Sequence, residues 1–283
     1  RKKERKKERK KGRKEGRKGS RALEGGFHMD FLLHFGPSEY LSLFRSEHPY
    51  FSREGKGDIR AFADKYQSYY EETRGKGLVC IPSSNHDMPR LGGQLDQEEM
   101  KIAFAFLLSM PGAPFVYYGD EIGMRYLPDL TSVEGGFDRT GTRTPMQWDK
   151  TVNAGFSSAP EERLYIPLDP AEDRPDAAEQ MSRDDSLWRE VQRLIALRLK
   201  HPALLSEASY RCLYAEKNKY PFVYLREQGE ERILIALNPC GRETSCRAEL
   251  PAFKEILYSL NGKAVYEDGV LVMPGASAVF VKV

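Results

Sequence analysis

Three polar clusters stand where apolar runs end, and each holds groups able to grip a hydroxylated ligand. Ser83-Ser84-Asn85-His86-Asp87 closes the segment GLVCIPSSNHD, and Tyr118-Gly119-Asp120-Glu121 closes PFVYYGDE. Arg143-Thr144-Pro145-Met146-Gln147-Trp148-Asp149 lies in a longer loop. Adjacent His86 and Asp87 suit a polyhydroxylated ligand. The imidazole donates to hydroxyls, while the carboxylate accepts from them and steadies developing positive charge. The plain alternative is a satisfied loop histidine beside an aspartate that caps a helix. Asp120 and Glu121 invite an acid–base reading, but adjacent side chains on an extended chain point to opposite faces. They are therefore not expected to converge on one reacting atom. Tyr117 and Trp148 read as packing residues rather than sugar platforms.

The elements that would position these clusters alternate in period. FHMDFLLHF (27–35) is a short apolar run bounded by Gly26 and Gly36-Pro37, suited to a strand covered on both faces. Residues 57–73 place Ile59, Phe62, Ala63, Tyr66 and Tyr70 at helical spacing, with Asp58 as N-cap. Residues 77–87 give a second strand, 96–110 a second helix and 114–121 a third strand. Strand, helix, strand, helix, strand implies a parallel sheet with crossover helices. In parallel β/α barrels the functional groups sit where strands end, which is where all three clusters fall. Residues 185–200 form a further helix with Leu187, Val191, Leu194, Ile195 and Arg198 on one stripe, ended by His201-Pro202. Beyond, short runs such as FVYLR, RILIALN and SAVFVKV between turn clusters predict a small antiparallel β domain from residue 203 to 283.

Charge divides the chain differently. Residues 1–20 hold 13 Lys and Arg and 3 Glu, with no apolar side chain. Removing them from the chain's 44 basic and 42 acidic residues leaves 31 and 39, so the remainder carries a net charge of −8. A mildly acidic body argues against a general nucleic-acid or membrane-surface role. The tail itself cannot offset its ordering entropy and is expected to be disordered. It reads as a solvated tail in preference to a nucleic-acid arm. Cys80, Cys212, Cys240 and Cys246 match no zinc or CxxC spacing, and reduced thiols are expected. No cofactor or metal is implied. No uncharged stretch approaches the roughly 20 residues needed to span a bilayer, and with no secretion signal the cytoplasm is the expected compartment. Oligomeric state stays open.

Taken together, IPSSNHDMPRLGG, SMPGAPFVYYGDEIGM and RTGTRTPMQWD followed by NAGFS resemble the α-glucosidase and oligo-1,6-glucosidase branch of the α-amylase family, glycoside hydrolase family 13. FHMDFLLHFG resembles the family's sixth barrel strand. The resemblance implies a partial (β/α)8 TIM barrel, about strands six to eight, over residues 21–202, followed by a C-terminal β-sandwich. It implies an α-linked gluco-oligosaccharide substrate and a retaining mechanism. Asp87 would be the third catalytic carboxylate, stabilising an oxocarbenium-like transition state, and His86 would bind hydroxyls of the transferred ring. Arg90 would line the site. Arg143 would help hold the non-reducing end, with a loop-stabilising ion pair as the alternative. The family's pattern treats Asp120 and Glu121 as architectural.

A retaining glycosidase needs a nucleophile and an acid/base carboxylate about 5–5.5 Å apart. In this family they end the fourth and fifth strands, the nucleophile within GxRxD. Nothing upstream of Phe27 resembles either region. The expectation is that these 283 residues are inactive alone, with three barrel strands leaving open edges. A sugar-binding remnant without catalysis, or nucleic-acid binding through the tail, are the other readings. Complementation by a separate polypeptide carrying the first half of the barrel is a further one.

Overall fold

The computed structural model describes residues 31–33, 40–130 and 140–283. The expected tail at 1–20 and most of the expected strand at 27–35 lie outside them. β1 (Phe31–Leu33) is followed by α1 (Leu41–Phe44) and α2 (Arg60–Thr73), then by β2 (Leu78–Cys80). β1 and β2 pair in parallel, Phe31 opposite Leu78 and Leu33 opposite Cys80. α2 starts one residue later than its sequence pattern suggests. Ile59 occupies the N-cap without a side-chain bond, and Asp58 Oδ1 accepts the Arg60 N–H at 2.9 Å.

α3 (Gln97–Ser109) carries a full capping box in which Asp96 accepts from Glu99 N–H and Glu99 accepts from Asp96 N–H. Two orphan donors are thereby satisfied. Its C-terminal carbonyls are satisfied by arginines instead. Arg198 donates to the carbonyls of Leu108, Met110 and Gly112, and Arg226 to that of Ser109. Burial pulls both guanidinium groups down to about 10. α4 (Ala177–Ser182) and α5 (Leu187–Lys200) complete the helices. Leu187, Val191, Leu194 and Arg198 bury their stripe of α5, whereas Ile195 is exposed, contrary to its predicted place on that stripe. The cause is angular: Ile195 sits one residue past Leu194, about 100° round the helix.

The segment 114–121 is not the strand its composition predicts. It makes one parallel bridge, Phe115 to Pro82, supported by Ser83 N–H donating to Phe115 O at 2.9 Å. Pro82 has no N–H to extend the ladder. Gly119, at φ +82°, then turns the chain into a 3₁₀ turn over Asp120–Ile122.

The C-terminal region holds two antiparallel sheets. β3 (Ser209–Tyr214), β4 (Phe222–Gln228), β5 (Glu231–Asn238), β6 (Thr244–Arg247), β7 (Glu255–Leu260), β8 (Val265–Glu267), β9 (Val270–Met273) and β10 (Ser277–Lys282) order as β3-β4-β5-β10-β7 and β6-β9-β8. Alternation along the strands divides two cores. Phe222, Tyr224, Ile233, Ile235 and Phe280 face the helices, while Val223, Leu225, Leu234, Val279 and Val281 face Leu271 and Met273 of the smaller sheet. This period-2 division places β5 between two apolar layers. All four cysteines are free thiols. Among the described residues no helix is long and apolar enough to cross a membrane.

Phe106 joins the helical region to the larger sheet. Its ring centroid lies 5.2 Å from Phe51, 5.6 Å from Phe62, 6.2 Å from Phe44 and 6.3 Å from Phe222. Phe106→Ala is expected to lower unfolding free energy by about 3–5 kcal/mol in urea titration, through lost transfer energy plus a cavity.

A second junction is polar. Glu231 accepts the Ala203 N–H at 2.9 Å, and its other oxygen lies 2.8 Å from His201 Nδ1. Burial raises the carboxyl's pKa, but those two partners outweigh it and hold Glu231 below its ordinary value. The junction's contribution is therefore present above the unfolded pKa of about 4.3 and lost as pH falls through the lower folded value. The stability difference between parent and Glu231→Gln is expected to be flat from pH 7 to 5 and to shrink below about 4.

Candidate active site

Asn85 organises the loop that follows β2. Its Oδ1 accepts the Asp87 N–H at 2.8 Å, and its carbonyl accepts the Met88 N–H at 3.2 Å. That Asx turn projects His86 and Asp87 outward from the C-terminal end of the parallel pair. Both side chains are solvent-accessible, with His86 Nε2 3.5 Å from Asp87 Oδ2. Arg143 reaches the same place from the distant loop. Its Nη2 donates to Asp87 Oδ1 at 3.2 Å and its Nε to His86 O at 3.0 Å. Thr142 Oγ1 donates to the same carbonyl at 3.0 Å. Three of the four expected residues are thus brought together on one face. Asp87 keeps one carboxylate edge toward Arg143 and one toward His86.

Arg90 departs from its expected place. Its side chain is fully buried, so lining the site for direct sugar contact is not available to it. The guanidinium carbon lies 4.9 Å from the Tyr117 ring centroid and 4.6 Å from that of Tyr118. Nη1 donates to Tyr118 O and lies 3.4 Å from Asp120 Oδ1. The reason is electrostatic: a carboxylate with no solvent access requires a buried cation nearby.

Asp120 is that carboxylate. Ser83 Oγ donates to its Oδ2 at 2.6 Å, and Ser84 Oγ donates to the same oxygen. Tyr117 N–H donates in turn to Ser83 Oγ at 2.9 Å. Burial raises the Asp120 carboxyl pKa against the pull of Arg90 and the two serines. The network clamps the root of the His86–Asp87 loop to the segment carrying Tyr117 and Tyr118.

Asp120 and Glu121 both lie within a 3₁₀ turn, not on an extended strand. Their divergence stands, but its cause is different. Asp120 turns into the network, and Glu121 turns toward a cavity of about 400 Å³ that also meets Arg143 and Trp148. Burial raises the Glu121 carboxyl as well. Trp148 is 51% exposed, so it is not the packing residue its neighbours in sequence suggest. Tyr117 does pack, under the Arg90 guanidinium, and its hydroxyl donates to Thr142 O at 3.2 Å. Sequence reasoning missed the cavity. Its walls come from segments between residues 118 and 166, and only the RTPMQWD and NAGF motifs pointed there.

Comparison with known proteins follows the same residues. Residues 38–207 match the family described as alpha amylase, catalytic domain. A glucan 1,6-alpha-glucosidase of Streptococcus dysgalactiae subsp. equisimilis is 31% identical over 245 residues, 74% of this chain and 44% of that protein. An oligo-1,6-glucosidase of Parageobacillus thermoglucosidasius is 29% identical, covering 65% of this chain and 39% of that protein. Among solved structures, the trehalulose synthase of Pseudomonas mesoacidophila MX-45 superposes with a TM-score of 0.67 at 23% identity, over 80% of this chain and 46% of that one, a likeness of fold. The chain spans less than half the length of these relatives. The family match covers more than half of the 283 residues: the chain belongs to the α-amylase family of glycoside hydrolases.

Proposed function

We propose that the chain carries the charge-stabilising side of the sugar site in a retaining hydrolase of α-glucosidic bonds in short oligosaccharides. The observation that carries this reading is the convergence of His86, Asp87 and Arg143 from two distant loops at the end of a parallel strand pair. On this reading β1, β2 and the Phe115 segment correspond to the sixth, seventh and eighth strands of a (β/α)8 barrel. Asp87 would face the ring carbons as the glycosidic bond breaks. A carboxylate there stabilises the oxocarbenium-like transition state more than the neutral ground state, so it raises rate more than affinity. His86 would bind ring hydroxyls. Arg143 fixes the Asp87 carboxylate and adds a donor for the sugar. Arg90 acts one layer back, as a positioning residue.

The remaining chemistry needs a nucleophile and an acid/base that these residues do not offer. No GxRxD occurs in the sequence. A group that steadies charge cannot create it. The 283-residue polypeptide alone is therefore expected to hydrolyse 4-nitrophenyl α-glucoside no faster than its Asp87→Ala variant. Turnover in the parent that vanishes in Asp87→Ala would mean that a nucleophile resides among these residues, and would overturn this division of roles.

A further inference from the structure

A single guanidinium holds both ends of the loop that carries His86 and Asp87. Arg45 is the C-cap of α1, and it reaches across to that loop. Its Nε donates to Pro89 O at 2.7 Å, and its Nη2 donates to Ser83 O at 2.5 Å. Ser84 to Met88, five residues that include His86 and Asp87, lie between those two carbonyls. Nε and Nη2 share one edge of a rigid planar group, so the side chain's own geometry sets the width of the loop's base. Pro82 and Pro89 have no N–H, which removes two donors that could otherwise close the base by backbone pairing.

The guanidinium is itself held in place. Its Nη1 donates to the Tyr40 hydroxyl at 3.5 Å, and Tyr40, which is fully buried, donates in turn to Pro82 O. Burial raises the Tyr40 hydroxyl's pKa, which keeps it a donor. The carbonyls of Pro82, Ser83 and Pro89 therefore all accept from the two ends of one short helix. The Arg45 guanidinium carbon lies 5.6 Å from the Tyr40 ring centroid and 5.8 Å from that of Phe44. Phe44 stacks on Phe51 at 5.2 Å, which seats α1 in the core. Rings on either side restrict the rotamers of a long side chain, so less entropy is lost when it binds the loop.

We propose that Arg45 is a positioning residue for the candidate site: by tying both ends of the His86–Asp87 loop, it sets where Asp87 stands. The catalytic meaning of that placement rests on the reading of Asp87 given above, whereas the tie does not. Other contacts hold different points. Arg143 and Thr142 take the His86 carbonyl at the tip, and Asp120 takes the hydroxyls of Ser83 and Ser84. Among the described residues, the hydrogen bonds of Arg45 go to backbone carbonyls and the Tyr40 hydroxyl, so it acts on Asp87 through the loop's backbone. A wider base would carry Asp87 away from Arg143 Nη2, now 3.2 Å from it. A misplacement of about 1 Å in a catalytic group can cost on the order of 100-fold in rate.

Amide hydrogen exchange on the full 283-residue chain tests the tie. In Arg45→Ala the Asp87 and Met88 amides, which donate to Asn85, are expected to exchange about tenfold faster, the size of one hydrogen bond to a charged group. The interior amides of α3 should stay within twofold of the parent. Arg45 is half-buried, so its emptied place is open to a small cation. Free guanidinium, well below the concentrations that unfold proteins, is expected to restore the protection of Asp87 and Met88, whereas sodium chloride at equal ionic strength is not. The His86 ring signal in the NMR spectrum should shift or broaden in Arg45→Ala and return with guanidinium. If Arg45→Ala fails to fold, Arg45→Lys gives the same local reading, since an ammonium keeps the charge but not the fork. Unchanged exchange at Asp87 and Met88, acceleration shared equally with α3, or restoration by sodium chloride as well as by guanidinium would each overturn the proposal. Failure of the sugar reading shows instead in turnover, which exchange does not measure.

Discussion

Replacing Asp120 by Ala is expected to cost about 3–5 kcal/mol of unfolding free energy, the range for removing one partner of a buried ion pair. Asp120 has no solvent access, and its loss strands the Arg90 guanidinium among Tyr117, Tyr118 and the Tyr118 carbonyl. It also frees Ser83 and Ser84, whose hydroxyls anchor the root of the His86–Asp87 loop. Glu121→Ala, one residue away, is expected to change stability by less than about 1 kcal/mol, since its buried Oε2 has no hydrogen-bond partner to lose among the described residues. The double variant Asp120→Ala, Arg90→Met should recover part of the loss, because the stranded charge is gone. Urea titration of the parent, Asp120→Ala, Arg90→Met and the double variant reads the coupling directly. Equal effects of Asp120→Ala and Glu121→Ala would mean that the two carboxylates share one role.

That contrast also marks where the sequence stops being informative. The helix at 97–109 was legible because its signals are local: an apolar run preceded by Asp96 and Glu99 at capping-box spacing. The His86–Asp87 loop was legible because it follows a strand pattern, and because its motif travels with RTPMQWD. The fate of 114–121 was not. Its residues favour a strand, but a ladder needs partners, and Pro82 withholds one of the needed donors. Arg90 and Trp148 were read with the wrong exposure, one as lining the site and the other as packing. Burial depends on what lies across the fold: Asp120 for Arg90, an open cavity for Trp148. Ile195 shows the same limit on a smaller scale, since a stripe one residue too wide includes a side chain that faces outward.

The largest kinetic effect is expected at Asp87. If it meets developing positive charge, its removal takes away stabilisation present mainly in the transition state. A fixed electrostatic group of this type accounts for on the order of 100- to 1,000-fold in kcat. The loss should fall on kcat and kcat/KM together, since an interaction made in the transition state adds little to ground-state binding. Arg143→Lys should fall between, because a lysine keeps the charge but not the paired contact with Asp87 Oδ1 and His86 O.

On the proposed division of roles, these effects are read where a nucleophile and an acid/base are supplied. On the proposed reading, a fusion of residues 21–283 to the corresponding first half of a barrel from a glucan 1,6-alpha-glucosidase would supply both. The deciding measurement is the kcat of that fusion on an aryl α-glucoside, with and without Asp87→Ala. The account predicts measurable turnover in the fusion and a loss of at least about 100-fold in Asp87→Ala, with unfolding midpoints matched. An Asp87→Ala fusion that keeps kcat within a few fold of its parent would contradict it, and would place the charge-stabilising group elsewhere.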